Sequence, residues 1–190
     1  MNDSWYALHV KSRFEKSVER HLQEKGYEVF LPSYVSTRRW SDRVKSLSLP
    51  LFPSYLFCRF DINSRLPILV TPGVNSIVGS GKTPVAVDET EITAVRHILD
   101  SGIPTQPWPY LRAGQEVRVE EGPLAGLTGI VIRDKGADRL IVSVTLLMRS
   151  VSAEIGRQWV KPIAYCGTFH GDAFQRAIPE RSLSLPSSQR

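Results

Sequence analysis

Residues 101–110 read SGIPTQPWPY, with three prolines in ten positions. Each proline removes an amide donor and holds φ near about −65°, so the stretch favours extended polyproline geometry and predicts neither helix nor sheet. The hydrophobic period differs on its two sides. Before it, stretches of strand and helix periodicity alternate. After it, only short strand patterns punctuated by glycine-rich turns occur. This segment therefore reads as a linker between an α+β part, residues 1–100, and an all-β part, residues 111–163. A tail, residues 164–190, follows.

In the first part, SWYALHV (4–10) is a strand-length apolar run. Next, Phe14, Val18 and Leu22 recur at i, i+4 and i+8, one stripe of a helix. Ser12 is the expected N-cap, with Glu15 as its capping-box partner, and Gly26 the expected C-terminal stop. YEVFLPSYV restarts a strand pattern. STRRWSDRVKSLSLP is polar and basic around a turn and suits a long hairpin arm. LFPSYLFCRF (51–60) is apolar nearly throughout, as expected of a central strand buried on both faces. INSRLPILVTPGV is a short helix or irregular piece closed by Pro72-Gly73. DETEITAVRHILDSG reads as a second helix, capped by Asp88, striped by Ile92, Val95, Ile98 and Leu99, and ended by Gly102.

The second part suits a small five-stranded barrel, which removes exposed sheet edges by closing on itself. RLIVSVTLL is its longest strand candidate, and β-branched residues favour strand here over helix. Gly122, Gly126 and Gly129 supply tight turns. The tail ends in the serine-rich ERSLSLPSSQR and is expected to be disordered.

Catalysis finds little support. Residues 79–83, GSGKT, end like a phosphate-binding loop, G-x-x-x-x-G-K-[ST]. That pattern requires glycine at position 76, which is Ser76, and a helix beginning at the lysine. Pro84 and the strand-like VAV follow instead, so the segment reads as a hairpin turn with Lys82 exposed. The histidines His9, His21, His97 and His170 have no metal spacing, and no nucleophile motif occurs. Cys58 and Cys166 form neither a C-x-x-C pair nor a disulfide framework. No apolar run approaches the ~20 residues of a bilayer span and no signal peptide is evident. A cytoplasmic protein with no cofactor and no metal is expected. The formal net charge is +5, and residues 1–60 hold ten Lys/Arg against six Asp/Glu. A basic excess suits phosphate backbones or an ordinary solvated surface.

Two stretches carry a family resemblance. SWYALHVKSRFEKSVERHL, followed by LPLFPSYLFCRFD, resembles the N-terminal NGN domain of the NusG family of transcription factors. GQEVRVEEGPLAGLTGIVIRDKG resembles its KOW domain. The chain looks closest to specialised, operon-specific paralogs such as RfaH and the UpxY-type antiterminators. The resemblance implies an α+β NGN domain, an antiparallel sheet flanked by helices, followed by an SH3-like KOW barrel. It implies a transcription factor that binds RNA polymerase, suppresses pausing and promotes elongation or antitermination of particular operons, and that is not an enzyme. Two alternatives stay open: a housekeeping NusG factor, and a KOW-type RNA- or ribosome-binding protein.

By alignment with the family, the pocket for the polymerase β′ clamp helices would involve Tyr6, His9, Phe52, Tyr55, Phe57 and Ile92, unless these simply build the core. Ser54 departs from the Gly or Asn that many members carry there. The resemblance implies that Lys11, Arg13, Arg20 and His21 meet the non-template DNA strand, though a solvated helix face is an equally open reading of them, and that Arg38, Arg39, Trp40, Arg43 and Lys45 on the arm point toward upstream DNA. The segment SRLPIL (64–69) lacks the Thr-rich motif that RfaH turns to the β subunit. The KOW barrel would recruit Rho or the ribosomal protein NusE through Leu124, Leu127, Leu146 and Met148, which serve equally as interior residues of a small barrel.

Overall fold

The structure, a computed structural model, describes residues 3–39, 44–81, 83–110, 115–134 and 136–163. The first half contains strand β1 (Ser4–Val10), helix α1 (Glu15–Glu24), and strands β2 (Glu28–Phe30), β3 (Ser33–Arg39), β4 (Val44–Pro50) and β5 (Tyr55–Phe60). Helix α2 (Leu66–Leu69), strands β6 (Val74–Ile77), β7 (Gly79–Ser80) and β8 (Thr83–Pro84), and helix α3 (Glu89–Asp100) complete it. The second half contains β9 (Thr105–Pro109), β10 (Gln115–Val119), β11 (Thr128–Asp134), β12 (Ala137–Val144), β13 (Arg149–Glu154) and β14 (Val160–Pro162). No helix among the described residues is long and apolar enough to cross a membrane.

The first sheet has the antiparallel order β2-β5-β1-β6. Its central register sets Leu8 opposite Leu56 and Tyr6 opposite Cys58, with Ala7 opposite Phe57 and His9 opposite Tyr55. Alternation along a strand sends these two sets to opposite faces. Val18 and Leu22 of α1 and Ile68 of α2 pack on the Leu8 and Leu56 face. Ile92, Val95 and Ile98 of α3 cluster with Trp5, Ala7 and Phe57 on the other. Cover on both faces explains why the β5 sequence is apolar nearly throughout.

The expected strand over 51–60 starts only at Tyr55. Leu51–Ser54 form a turn, in which the Tyr55 N–H donates to the Phe52 carbonyl at 3.0 Å and Ser54 has φ of +67°. Leu51 and Phe52 are nevertheless fully buried, so apolar content here marks depth rather than strand.

The Ser12–Glu15 capping box does not form. The N-cap of α1 is Phe14, which makes no side-chain cap and is 40% exposed rather than part of the buried stripe. The Glu15 carboxylate turns instead to the Ser54 N–H. The other helix ends follow the sequence. Gly26, at φ +85°, donates its N–H to Gln23 O, and Tyr27 donates to Leu22 O, the pattern of a glycine-terminated helix. Asp88 accepts from the Thr90 hydroxyl and N–H at the start of α3, and these bonds hold its carboxyl below the usual range.

The second sheet runs β14-β10-β11-β12-β13-β9 and is antiparallel throughout. Val117, Val119, Leu140, Val142, Val144, Val151 and Ala153 point to one side and form its core. This is the expected all-β unit, with six strands rather than five. The extra strand is the proline-rich segment itself. Thr105–Pro109 pair with β13, setting Pro107 opposite Val151 and Pro109 opposite Arg149. Prolines are tolerated because β9 is an edge strand of the described sheet.

Gly79–Ser80 pair with Thr83–Pro84 across a turn in which Gly81 has φ of +61°. No helix follows the lysine position of GSGKT, so a phosphate loop is excluded; Lys82 itself lies outside the described residues. The basic arm is a seven-residue ladder of β3 on β4, from Ser33 opposite Pro50 to Arg39 opposite Val44.

Candidate functional site

The face of the first sheet that carries α3 also carries most of the expected docking residues. Tyr55 and His9 are register partners, and their rings lie 5.3 Å apart, both half-buried. Phe52 stands edge-on to Phe57 at 5.7 Å, and Phe30 stacks on Phe57 at 6.2 Å. Phe52, Phe57 and Ile92 are buried behind Tyr55. Only Tyr55 and His9 of this set present surface; the other three hold them in place. Tyr6 does not join them. It lies on the opposite face, 4.8 Å from the Phe60 ring and buried under the α1 layer. A single register step separates Tyr6 from the α3-covered face, because neighbouring strand residues point in opposite directions.

The second sheet leans on this same face. Arg149 of β13 stands over the Tyr55 ring, 5.5 Å from its centroid. Both Glu91 carboxylate oxygens accept from the Thr145 N–H at 3.2 Å. His97 Nε2 donates to the Pro123 carbonyl at 3.1 Å, the tautomer being set by an acceptor that cannot donate. One hydrophobic cluster runs from Trp5 and Ile92 through to Val142 and Leu124. A cleft of about 620 Å³ remains between α3 and the second sheet, lined among others by Glu91, Ala94, Tyr110, Ile141 and Met148. None of these cross-contacts was legible in sequence; their partners lie 26 to 54 residues or more apart.

Beside the Tyr55–His9 pair, Arg96 lies 5.0 Å from the Phe30 ring and 5.4 Å from Trp5, and pairs with Glu28 at 3.4 Å. Arg59 pairs with Glu28 and Glu89, each at 3.7 Å. These partly exposed pairs orient the rim more than they stabilise it.

The residues expected to meet nucleic acid divide into three groups. Lys11 and Arg13 are exposed in the turn before α1, with Lys11 Nζ 4.9 Å from the Phe14 ring and Arg13 at φ +69°. Arg20 is exposed in the middle of α1, 3.9 Å from Glu24 one turn on. His21 is half-buried, and its Nδ1 is buried with no hydrogen-bond partner among the described residues. Arg38, Arg39 and Lys45 sit on the arm ladder, Arg38 opposite Lys45. Trp40 and Arg43 lie outside the described residues.

On the second sheet, Leu124 and Leu127 are corrected from surface to interior, with 0% and 8% exposure. A turn between two short strands must fill the core beneath it, and these leucines do so. Leu146 is half-buried, and Met148 alone of the four is exposed, at φ +50°. On the first half, Leu66 and Val70 at the two ends of α2 are also exposed.

Residues 3–96 match the family model described as transcription termination factor nusG. The transcription termination/antitermination protein NusG of Thermus thermophilus is 30% identical over 179 residues, covering 82% of this chain and 96% of that protein. The chain belongs to the NusG family. The NusG of Pseudomonas aeruginosa is 27% identical over 169 residues, covering 82% of this chain and 96% of its own. Among solved structures, one titled "Domain interaction in Thermotoga maritima NusG" matches with a TM-score of 0.53 at 21% identity, covering 86% of this chain and 99% of that one, which supports the fold. NusG-family proteins are transcription factors, not enzymes. The GSGKT turn and the scattered histidines thus belong to a NusG scaffold rather than to a catalytic centre. Within it, residues 3–96 correspond to the NGN half and the six-stranded sheet to the KOW half.

Proposed function

We propose that this NusG-family chain is a specialised transcription factor that binds RNA polymerase, suppresses pausing and promotes elongation or antitermination at selected operons. The observation that carries the reading is the Tyr55–His9 pair, two half-buried rings 5.3 Å apart on a rigid strand pair backed by buried Phe52 and Phe57. Aromatic groups held this way are suited to gripping a helical partner, because little side-chain freedom remains to be lost on binding. The β′ clamp helices are the partner we assign to this face. Lys11 and Arg13 are assigned to DNA phosphates, and the β3–β4 arm to upstream DNA. Rho or NusE at the KOW end is carried here by Met148 and not by Leu124 or Leu127. The chain divides functionally at the 101–110 segment.

On this reading polymerase competes with the second sheet for Tyr55, since Arg149 already stands over that ring. Binding therefore includes the cost of separating the two halves. The names of the relatives favour a second reading, a general NusG factor acting on most transcripts.

In-vitro transcription with core polymerase tests both. The specialised reading expects reduced pausing by the wild-type chain on some templates only, and loss of that effect in Tyr55→Ala. Equal activity of wild type and Tyr55→Ala would reject the docking face. A uniform effect across unrelated templates would favour the general factor.

A further inference from the structure

Ser54 is one of three non-glycine residues with positive φ among the described residues, with Arg13 and Met148. Its φ of +67° is a left-handed backbone that a residue with a β-carbon adopts only under constraint. The constraint is visible. The Ser54 N–H donates to Glu15 Oε1 at 3.0 Å, and the Ser54 carbonyl accepts from the Val10 N–H at 2.9 Å. Both backbone groups of one strained residue are thus held from outside its own turn.

Glu15 is 7% exposed, which is unusual for a carboxylate. A buried carboxylate is costly unless it is hydrogen-bonded. At the first position of α1 it gains from the helix dipole, but it caps nothing, since Phe14 is the N-cap and no side-chain cap exists. The bond it does make is to Ser54, 39 residues away. Immediately after Ser54 comes Tyr55, and two residues before it Phe52 enters the core. Arg13, the second left-handed residue, lies two positions before Glu15.

We infer that Glu15 is a positioning residue for the docking face. Its carboxylate holds Ser54 in the left-handed turn, and that turn sets where Tyr55 leaves the chain and how deeply Phe52 sits. The same bond joins the start of α1, two residues after Arg13, to the docking turn. The inference rests on the polymerase-docking reading of Tyr55 for its functional half, while the clamp itself is independent of it.

The test uses the full chain in four forms: wild type, Glu15→Gln, Glu15→Ala, and Glu15→Ala with Ser54→Gly. Affinity for core polymerase and amide hydrogen exchange are both measured. Glu15→Gln keeps an acceptor oxygen and binds within about twofold of wild type. Glu15→Ala binds about tenfold more weakly, and its Ser54 and Tyr55 amides exchange about tenfold faster. Val18 and Leu22 amides keep their wild-type protection, which separates the local effect from unfolding. Adding Ser54→Gly restores most of the binding, because glycine takes this φ without strain. Wild-type affinity for Glu15→Ala would overturn the proposal, as would failure of Ser54→Gly to rescue it. If the wild-type chain does not bind core polymerase, the docking reading fails, and the exchange rates at Ser54 still decide for or against the clamp.

Discussion

The Arg149 guanidinium stands over the Tyr55 ring, 5.5 Å from its centroid, joining the second sheet to the first across 94 residues of sequence. The Glu91–Thr145 and His97–Pro123 bonds also join the halves. Arg149 is exposed, so the contact is electrostatic and worth about 0.5–1 kcal/mol. Replacing both Arg149 and Glu91 by alanine is expected to loosen this contact without unfolding either sheet. Faster exchange of the Thr145 amide, with core amides of β12 unchanged, is the expected signature. Unchanged Thr145 exchange would show that the apolar cluster alone holds the halves together.

Phe52 and Tyr55 are expected to separate stability from binding. Phe52 is fully buried, so Phe52→Ala leaves a cavity and costs about 3–5 kcal/mol. Tyr55 is half-buried, so Tyr55→Ala costs about 1 kcal/mol of stability while removing the ring we propose for polymerase docking. Chemical denaturation of the two variants checks the contrast. Similar midpoints would mean that the turn relaxes around the missing Phe52 ring.

Cys58 is expected to be inert in the folded chain. Burial first, and the nearby Glu28 charge second, push its thiol up to about 12 from an ordinary 9.0. A thiol whose folded pKa is raised contributes stability below its unfolded pKa and loses it as pH rises toward the folded value. In a Cys166→Ser background, a thiol reagent at about pH 8 should therefore label only unfolded protein, and stability should fall in the alkaline range between those two pKa values. Rapid stoichiometric labelling of native protein would contradict the burial.

Two glycines of the second sheet should fail for different reasons. A β-carbon on Gly129 would lie 2.6 Å from the Ile141 carbonyl oxygen, a backbone atom of the neighbouring strand. Gly129→Ala should cost about 1–3 kcal/mol by forcing β11 and β12 apart. Gly126 has open space but φ of +91°, so Gly126→Ala meets only backbone strain of about 1 kcal/mol. Thermal melts of the two variants give the order; a more damaging Gly126→Ala would reverse the argument.

Much of the site's scaffold was local and therefore legible. Gly26 and Gly102 end their helices because only glycine enters the left-handed region cheaply, and Asp88 caps α3 through a bond to a residue two positions on. The apolar run of β5 announced cover on both faces. The structure departs from local sequence signals where a distant partner prevails over a near one. Glu15 had Ser12 within capping distance in sequence, yet it bonds Ser54. The proline-rich segment lacked donors, yet its remaining groups found β13. Leu124 and Leu127 fit either a partner surface or a barrel interior by sequence, and the core beneath their turn takes them.

The sequence by itself determined that the chain is a two-part α+β and all-β protein with aromatic residues concentrated around 52–57. Those are properties of period, composition and single-residue backbone preference, which act over a few positions. Only the tertiary structure decided which aromatics share a face, that Tyr6 is not among them, and that Arg149 stands over Tyr55. Those outcomes depend on strand register and on contacts between segments far apart in the chain, where a one-residue shift reverses every side chain and no local signal records the choice.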